Sequence, residues 1–319
     1  MAIIKKDAYF NSSTGSNKIH AVIWQDDTQT PLAVVQLAHG LGEHMGRYDE
    51  FARFLAANGF IVCGNDHLGH GFSVSSMEEL GYTCAQNGAL RIVDDMHILY
   101  NIMHRRYPDL KYYLFGHSMG SACTRVFISH FGHEIDGAIL CGVSELPPIA
   151  RLAVGPADKL AEKLGPQKKA VGLTKQFTAV ANHQFAGSAR TPSDWLTSDP
   201  EELDKILSDP LCNFPLTYAL IRDLIDLETE CSAGDWVSRV PLNLPLMIIG
   251  GAEDPMGGNG RNVIDLVEKL EASGRQPEVI LYPGCRHNLL NETVRDKIFN
   301  DILIWLGSTL NSKGDIAVD

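Results

Sequence analysis

Apolar and polar positions along the chain fall into two alternating rhythms. "PLAVVQLAHG", "FIVCGND", "YYLFG", "GAILCG", "LPLMIIGG" and "PEVILYPG" are short continuous apolar runs rich in β-branched and aromatic residues. Runs of that kind, closed by Gly, Asp or Pro, predict strands buried on both faces. Between them lie stretches of helical period. Tyr48 to Asn58 places Phe51, Phe54 and Leu55 on one face and is stopped by Gly59. Leu90 to Tyr107 ends at Pro108, and Met119 to Phe131, Asn262 to Ser273 and Glu292 to Leu310 complete the set. Two weaker strands are expected over 2–10 and 17–24. Strands alternating with helices of this length imply a mostly parallel sheet covered on both faces.

The rhythm breaks at Glu145. Up to about Val240 the chain shows helical pieces and turns without a buried strand, including charged helical turns from Asp158 to Lys169. This predicts a helical insertion, 145–240, over a core made of 1–144 and 241–319. The tail "SKGDIAVD" is expected to fray.

Composition narrows the function classes. The 319 residues are 45% hydrophobic and 21% charged, with a net charge of -12. An acidic chain without a Lys/Arg cluster is a poor partner for nucleic acid or an anionic membrane surface. No apolar run is long enough to span a bilayer. "MAIIKKDAYF" has no apolar core or cleavage site of a secretory signal, so the triplets at Asn11 and Asn291 are read as accidental glycosylation matches. The seven cysteines are odd in number and not closely paired. That fits a reduced, cytoplasmic chain with no disulfide framework.

In an open parallel sheet, ligands bind beyond the carboxyl ends of the strands. Three reactive residues stand there, in the order Ser118, Asp254, His287. Ser118 lies in Gly116-His117-Ser118-Met119-Gly120, where a strand must reverse into a helix in little space and lift the hydroxyl clear. A serine needs a base to take its proton. His287, in "YPGCRHNLLNE", follows the last strand; Asp254, in "IIGGAEDPM", could hold the imidazole in one tautomer. Glu253 is the adjacent rival. Met119 opens a helix, so its N–H is free for an oxyanion. The loop His39-Gly40-Leu41-Gly42 after another strand could supply a second N–H, from Leu41.

Two competing readings rest on fewer residues. Gly40-x-Gly42, with Asp66 ending the next strand, is most of a dinucleotide fingerprint, but Met45 stands where close packing wants a small residue. Asp66, His67 and His70 could suggest a metal, yet a third ligand of suitable geometry is missing and a glycine-rich turn fixed by polar side chains explains them. No metal or cofactor is expected.

Taken together, "HGLGEHMGRYDEFARFLAANGFIVCGNDHLGHGFS", "FGHSMGS", "SDPLC", "LPLMIIGGAEDPM" and "YPGCRHNLLNE" resemble the α/β-hydrolase superfamily, in its monoacylglycerol lipase and lysophospholipase-like branch. The matching stretches run from about residue 19 to 306. The resemblance implies an α/β-hydrolase fold with a helical cap, Ser118 as nucleophile, Asp254 as the acid and His287 as the base. It implies oxyanion amides from Leu41 and Met119 and a small acyl ester as substrate. Asp254 is preferred to Glu253 because it matches the family's G-x-x-D from Gly251. Glu145 to Arg190, including "TKQFTAVANHQFAG", matches the branch least. In the more familiar "SDPLCNFPLTYALIRDLIDL", Leu216, Leu220 and Leu224 recur four apart. They are candidates for an acyl pocket or for a transient membrane-surface contact through the cap. The same triad could instead serve a peptidase, amidase, thioesterase or acyltransferase, or survive in a non-catalytic binding protein.

Overall fold

The computed structural model describes residues 3–145 and 154–311. The tail 312–319 and the start of the insertion, 146–153, lie outside the described residues.

The apolar runs are strands of one eight-stranded sheet: β1 (Ile3–Asn11), β2 (Lys18–Asp26), β3 (Ala33–Ala38), β4 (Phe60–Asn65), β5 (Lys111–His117), β6 (Gly137–Cys141), β7 (Leu246–Gly251) and β8 (Glu278–Tyr282). Their order is β1-β2-β4-β3-β5-β6-β7-β8. β1 and β2 form an antiparallel edge, and β2 is antiparallel to β4; from β4 to β8 every pair is parallel.

The period-2 alternation along each central strand fills two cores. On β5, Tyr112 and Leu114 point to one face, Tyr113 and Phe115 to the other; on β7, Leu246 and Ile248 oppose Met247 and Ile249. The first face is covered by α2 (Gly88–Arg106), α3 (Met119–Phe131) and α9 (Arg261–Glu271), through residues such as Met96, Phe127 and Leu266. The second is covered by α1 (Asp49–Ala57) and α10 (Arg295–Asn311), through Phe51, Leu55, Ile302 and Trp305. Both faces are dry, which is why these strands read as continuous apolar runs. This is the α/β-hydrolase architecture.

Between β6 and β7 the described residues make helices: α4 (Val154–Leu164), α5 (Val171–Ala181), α6 (Pro200–Ser208), α7 (Tyr218–Cys231) and the short α8 (Trp236–Arg239). α7 lies against α2, α3 and α4. Asp199 caps α6, accepting from the N–H groups of Glu201 and Glu202, and Thr217 caps α7 in the same way through Leu220. No helix among the described residues is long and apolar enough to cross a membrane.

Candidate active site

The parallel register aligns the carboxyl ends of β3, β5, β6, β7 and β8 along one edge: Ala38 sits beside Gly116, His117 beside Cys141, and Gly251 beside Tyr282. Ser118 leaves β5 at that edge with φ 54° and ψ −119°, and α3 begins at the next residue. A non-glycine residue in that conformation stores about 1–3 kcal/mol of strain, offset here by tight packing on both sides. A Cβ on Gly116 would meet the Gly120 carbonyl oxygen at 2.2 Å, and one on Gly120 would meet the Ala38 carbonyl oxygen at 2.1 Å. Helix and strand approach so closely that only glycine fits at either position.

The structure brings Ser118, His287 and Asp254 into one hydrogen-bonded chain. The Ser118 hydroxyl lies 2.7 Å from His287 Nε2, and His287 Nδ1 lies 2.8 Å from Asp254 Oδ2. Asp254 accepts a second bond, 2.9 Å, from the Met256 N–H on its other oxygen. With Oδ2 an obligate acceptor, Nδ1 carries the proton and Nε2 presents its lone pair to the serine. Asp254 and His287 are buried and Ser118 is partly open. Glu253, the rival carboxylate, is exposed on the surface and does not reach the imidazole.

Leu41 is brought to the same place by the loop after β3. A Cβ on Gly40 would stand 3.3 Å from Ser118 Cβ. The loop is held from both sides. Glu43 Oε1 accepts the Gly40 N–H at 2.5 Å and the Tyr48 hydroxyl at 2.7 Å. His39 Nε2 accepts the His67 N–H at 2.8 Å, which leaves the ring proton on Nδ1; that N–H donates to the Gly40 carbonyl at 2.8 Å. The Gly40 carbonyl and the Leu41 N–H belong to one planar trans peptide and point in opposite directions. Fixing the first therefore aims the second.

These residues border a cleft of about 180 Å³. Its apolar wall comes from Phe177, Trp195, Leu196, Ile206, Phe214 and Leu216; Asn288 and Glu43 contribute polar atoms. Of the three leucines expected there, only Leu216 lines the cleft. Leu220 and Leu224 pack into the core under α7, because α7 starts after Leu216 and turns its four-residue stripe towards α2 and α3. Trp195, Phe177 and Asn288 were not singled out in the sequence. The i, i+3, i+4 spacing of Thr174, Phe177 and Thr178, all at the cleft, was the available signal.

Burial keeps the surrounding histidines neutral. His117 is pushed down to about 4, by burial first and then by the neighbouring His287. His67 and His70 are pushed down to about 3 and about 4, again mainly by burial. Asp66 is spent on its own turn, accepting from the Met45 and Phe72 N–H groups and from His20. The Met45 N–H that would face a pyrophosphate thus already meets a carboxylate, and Met45 fills the space above Gly64. That removes the dinucleotide reading. His44, Asp209 and Cys212 are the one metal-like group among the described residues. His44 Nδ1 accepts from Gly46 and Nε2–H donates to Asp209, so its single ring lone pair is already engaged.

The family model described as serine aminopeptidase, S33, matches residues 29–294. The chain belongs to this family. It is a serine hydrolase on the α/β-hydrolase fold, and it is similar to monoacylglycerol lipases. A monoacylglycerol lipase of Mycolicibacterium smegmatis is 27% identical over 94% of this chain and 96% of its own. A human monoglyceride lipase is 26% identical over 90% of this chain and 86% of its own. Among solved structures, a thermostable carboxyl esterase from Bacillus coagulans in complex with glycerol superposes with a TM-score of 0.90 at 28% identity, covering 97% of this chain and 100% of that one.

Proposed function

We propose that the chain hydrolyses monoacylglycerols, lysophospholipids or similar acyl esters through an acyl-enzyme on Ser118. The observation that carries this is the Ser118–His287–Asp254 chain at 2.7 and 2.8 Å, opening into an apolar cleft. His287 Nε2 takes the proton as the serine oxygen attacks the acyl carbonyl. Asp254 stabilises the imidazolium and holds its tautomer. The tetrahedral oxyanion rests on the N–H groups of Leu41 and Met119; Met119 is the first residue of α3, so its N–H has no helical acceptor. His287 then protonates the leaving alcohol, and water, activated by the same nitrogen, releases the acid.

The aminopeptidase in the family description is the second reading. A free α-amino group needs a carboxylate at the cleft. Glu43 is the only acidic residue lining it among the described residues, and one of its oxygens already serves Gly40 and Tyr48. That favours esters.

The segment 145–240 acts as a cap, and its α5 is the surface for lipid. Val171, Leu173, Phe177 and Val180 are exposed on it, Val180 by 76%, while Thr174, Phe177 and Thr178 border the cleft. One helix thus faces both substrate and solvent, as contact with a lipid aggregate requires. Seven free thiols, most of them buried, suit a reducing cytoplasm. A panel of monoacylglycerols, p-nitrophenyl esters of graded length and aminoacyl p-nitroanilides tests the assignment. Ester turnover with little anilide cleavage is expected; dominant anilide cleavage would reverse it.

A further inference from the structure

The loop that carries His287 is fastened to the insertion more heavily than a hinged cap would need. The Asn288 N–H donates to the Leu196 carbonyl at 2.6 Å, and the His287 N–H reaches the Trp195 carbonyl at 3.5 Å. Arg286 Nη1 donates to the carbonyls of Asp194 and Thr197 at 2.5 and 3.1 Å, with its guanidinium 4.1 Å over the Phe185 ring. Thr197 donates its hydroxyl to the Asn291 carbonyl at 2.8 Å. Glu292, fully buried, accepts from the Ser198 N–H and hydroxyl and from the Arg286 N–H. A carboxylate buried without a cation has to be satisfied by donors, and here they come from both strips of chain.

At the centre of this clamp lies Trp195. Its ring centroid is 5.1 Å from that of His287, at 41°. Its other neighbour, Phe177, meets it edge-on at 6.2 Å and 88°. Its backbone N–H donates to Asn182 Oδ1 at the end of α5. Trp195 is also part of the cleft wall. One side chain therefore touches the substrate space on one side and the imidazole on the other.

We infer that Trp195 is a positioning residue for the proposed base, and that the strip 194–198 is the seat of the His287 loop, not a moving part of the cap. This rests on the triad reading above. The consequence is mechanical. An imidazole confined by Asp254 at one nitrogen can still tilt about that bond; the indole face blocks the tilt. A group pressed against Trp195 by a bound acyl chain bears on the base directly. Any movement that opens the cleft therefore excludes 194–198.

The test separates a wall from a support. p-Nitrophenyl acetate carries only a methyl on its acyl side; p-nitrophenyl octanoate carries a chain long enough to meet the cleft wall. Trp195→Leu keeps apolar bulk without a flat ring, and Trp195→Phe keeps a ring. The expected result is a kcat on acetate about 10- to 100-fold lower in the Leu variant, the scale of a misplaced catalytic group. A similar fall is expected on octanoate, with Phe restoring both to within about threefold of wild type. Acetate kcat within about threefold in the Leu variant, with only the octanoate KM raised, would make Trp195 a wall and overturn the inference. Arg286→Met, which borders no part of the cleft, guards against misfolding of the first variant. It should lower acetate kcat about 3- to 10-fold at unchanged KM, and no change there overturns the seat. Acetate turnover by the wild type that is abolished in Ser118→Ala checks the underlying reading separately. A wild type without turnover removes both.

Discussion

Removing the Glu43 carboxylate should disable the site without touching the triad. Both of its interactions fall on one oxygen: Oε1 accepts the Gly40 N–H at 2.5 Å and the Tyr48 hydroxyl at 2.7 Å. Each is a hydrogen bond to a charged acceptor, contributing about 1.5–3 kcal/mol. Glu43→Ala strands two buried donors, so the loop loses roughly 3–6 kcal/mol of local order. The Gly40 N–H is then free to seek another acceptor, and the His39 Nδ1–H bond to the Gly40 carbonyl is left alone to hold the Leu41 peptide, which loosens. Loss of one oxyanion donor costs about 10²–10³ in kcat, and that is the expected effect of Glu43→Ala. Glu43→Gln is different. Its amide oxygen can occupy the Oε1 position and accept both bonds, losing charge assistance only, so kcat should fall by about tenfold or less. Tyr48→Phe removes one donor and should cost no more than that. The assay is steady-state hydrolysis of a soluble short-chain ester, with folding checked by thermal melting. Equal loss in Glu43→Ala and Glu43→Gln would refute the reasoning, because the charge and not the acceptor would then matter. An active Glu43→Ala would refute it outright.

Gly120→Ala would press a methyl against the Ala38 and His39 carbonyls at 2.1 and 2.7 Å. It should destabilise the fold by about 3 kcal/mol or more, seen as a Tm lowered by at least about 6 °C; an unchanged Tm contradicts the packing. Acid should unfold the protein early. His67, His70 and His117 are held neutral down to about 3, 4 and 4, whereas in the unfolded chain they protonate near the ordinary histidine value of 6.5. The unfolded state binds more protons in that window, so stability is full above pH 6.5 and falls as pH drops towards 4. Each histidine then costs about 2 kcal/mol at pH 5, and urea midpoints measured at pH 7 and pH 5 should show it; equal midpoints would not fit buried neutral rings. Leu173→Asp with Val180→Asp on α5 should lower turnover of emulsified monoacylglycerol several-fold and leave soluble p-nitrophenyl acetate unaffected. Equal effects on both would place α5 inside the chemistry instead of at the lipid surface.

The strand and helix rhythm of the core was legible because two buried faces and short glycine-closed helices leave strong periodic signals. Met119–Phe131 matches its predicted helix residue for residue, and the others shift by at most a few residues at their ends. Ser118, Asp254 and His287 were legible because each follows a strand on one sheet edge, a property of order along the chain. Trp195 was not. Its meaning arises from contact with a loop some ninety residues further along, which no local spacing reports. The leucine stripe misled for a related reason: four-residue spacing shows that Leu220 and Leu224 share a face, but not that this face meets α2 and α3. Asp66 does what a turn-fixing side chain is expected to do, accepting from the Met45 and Phe72 N–H groups and from His20.

The central claim is that Ser118 is the group that attacks. Incubation with a fluorophosphonate, followed by peptide mass spectrometry, tests it in one step. The account predicts one stoichiometric adduct, on Ser118, with loss of ester hydrolysis in proportion to labelling. An adduct on another residue, or hydrolysis that persists in fully labelled protein, would contradict it.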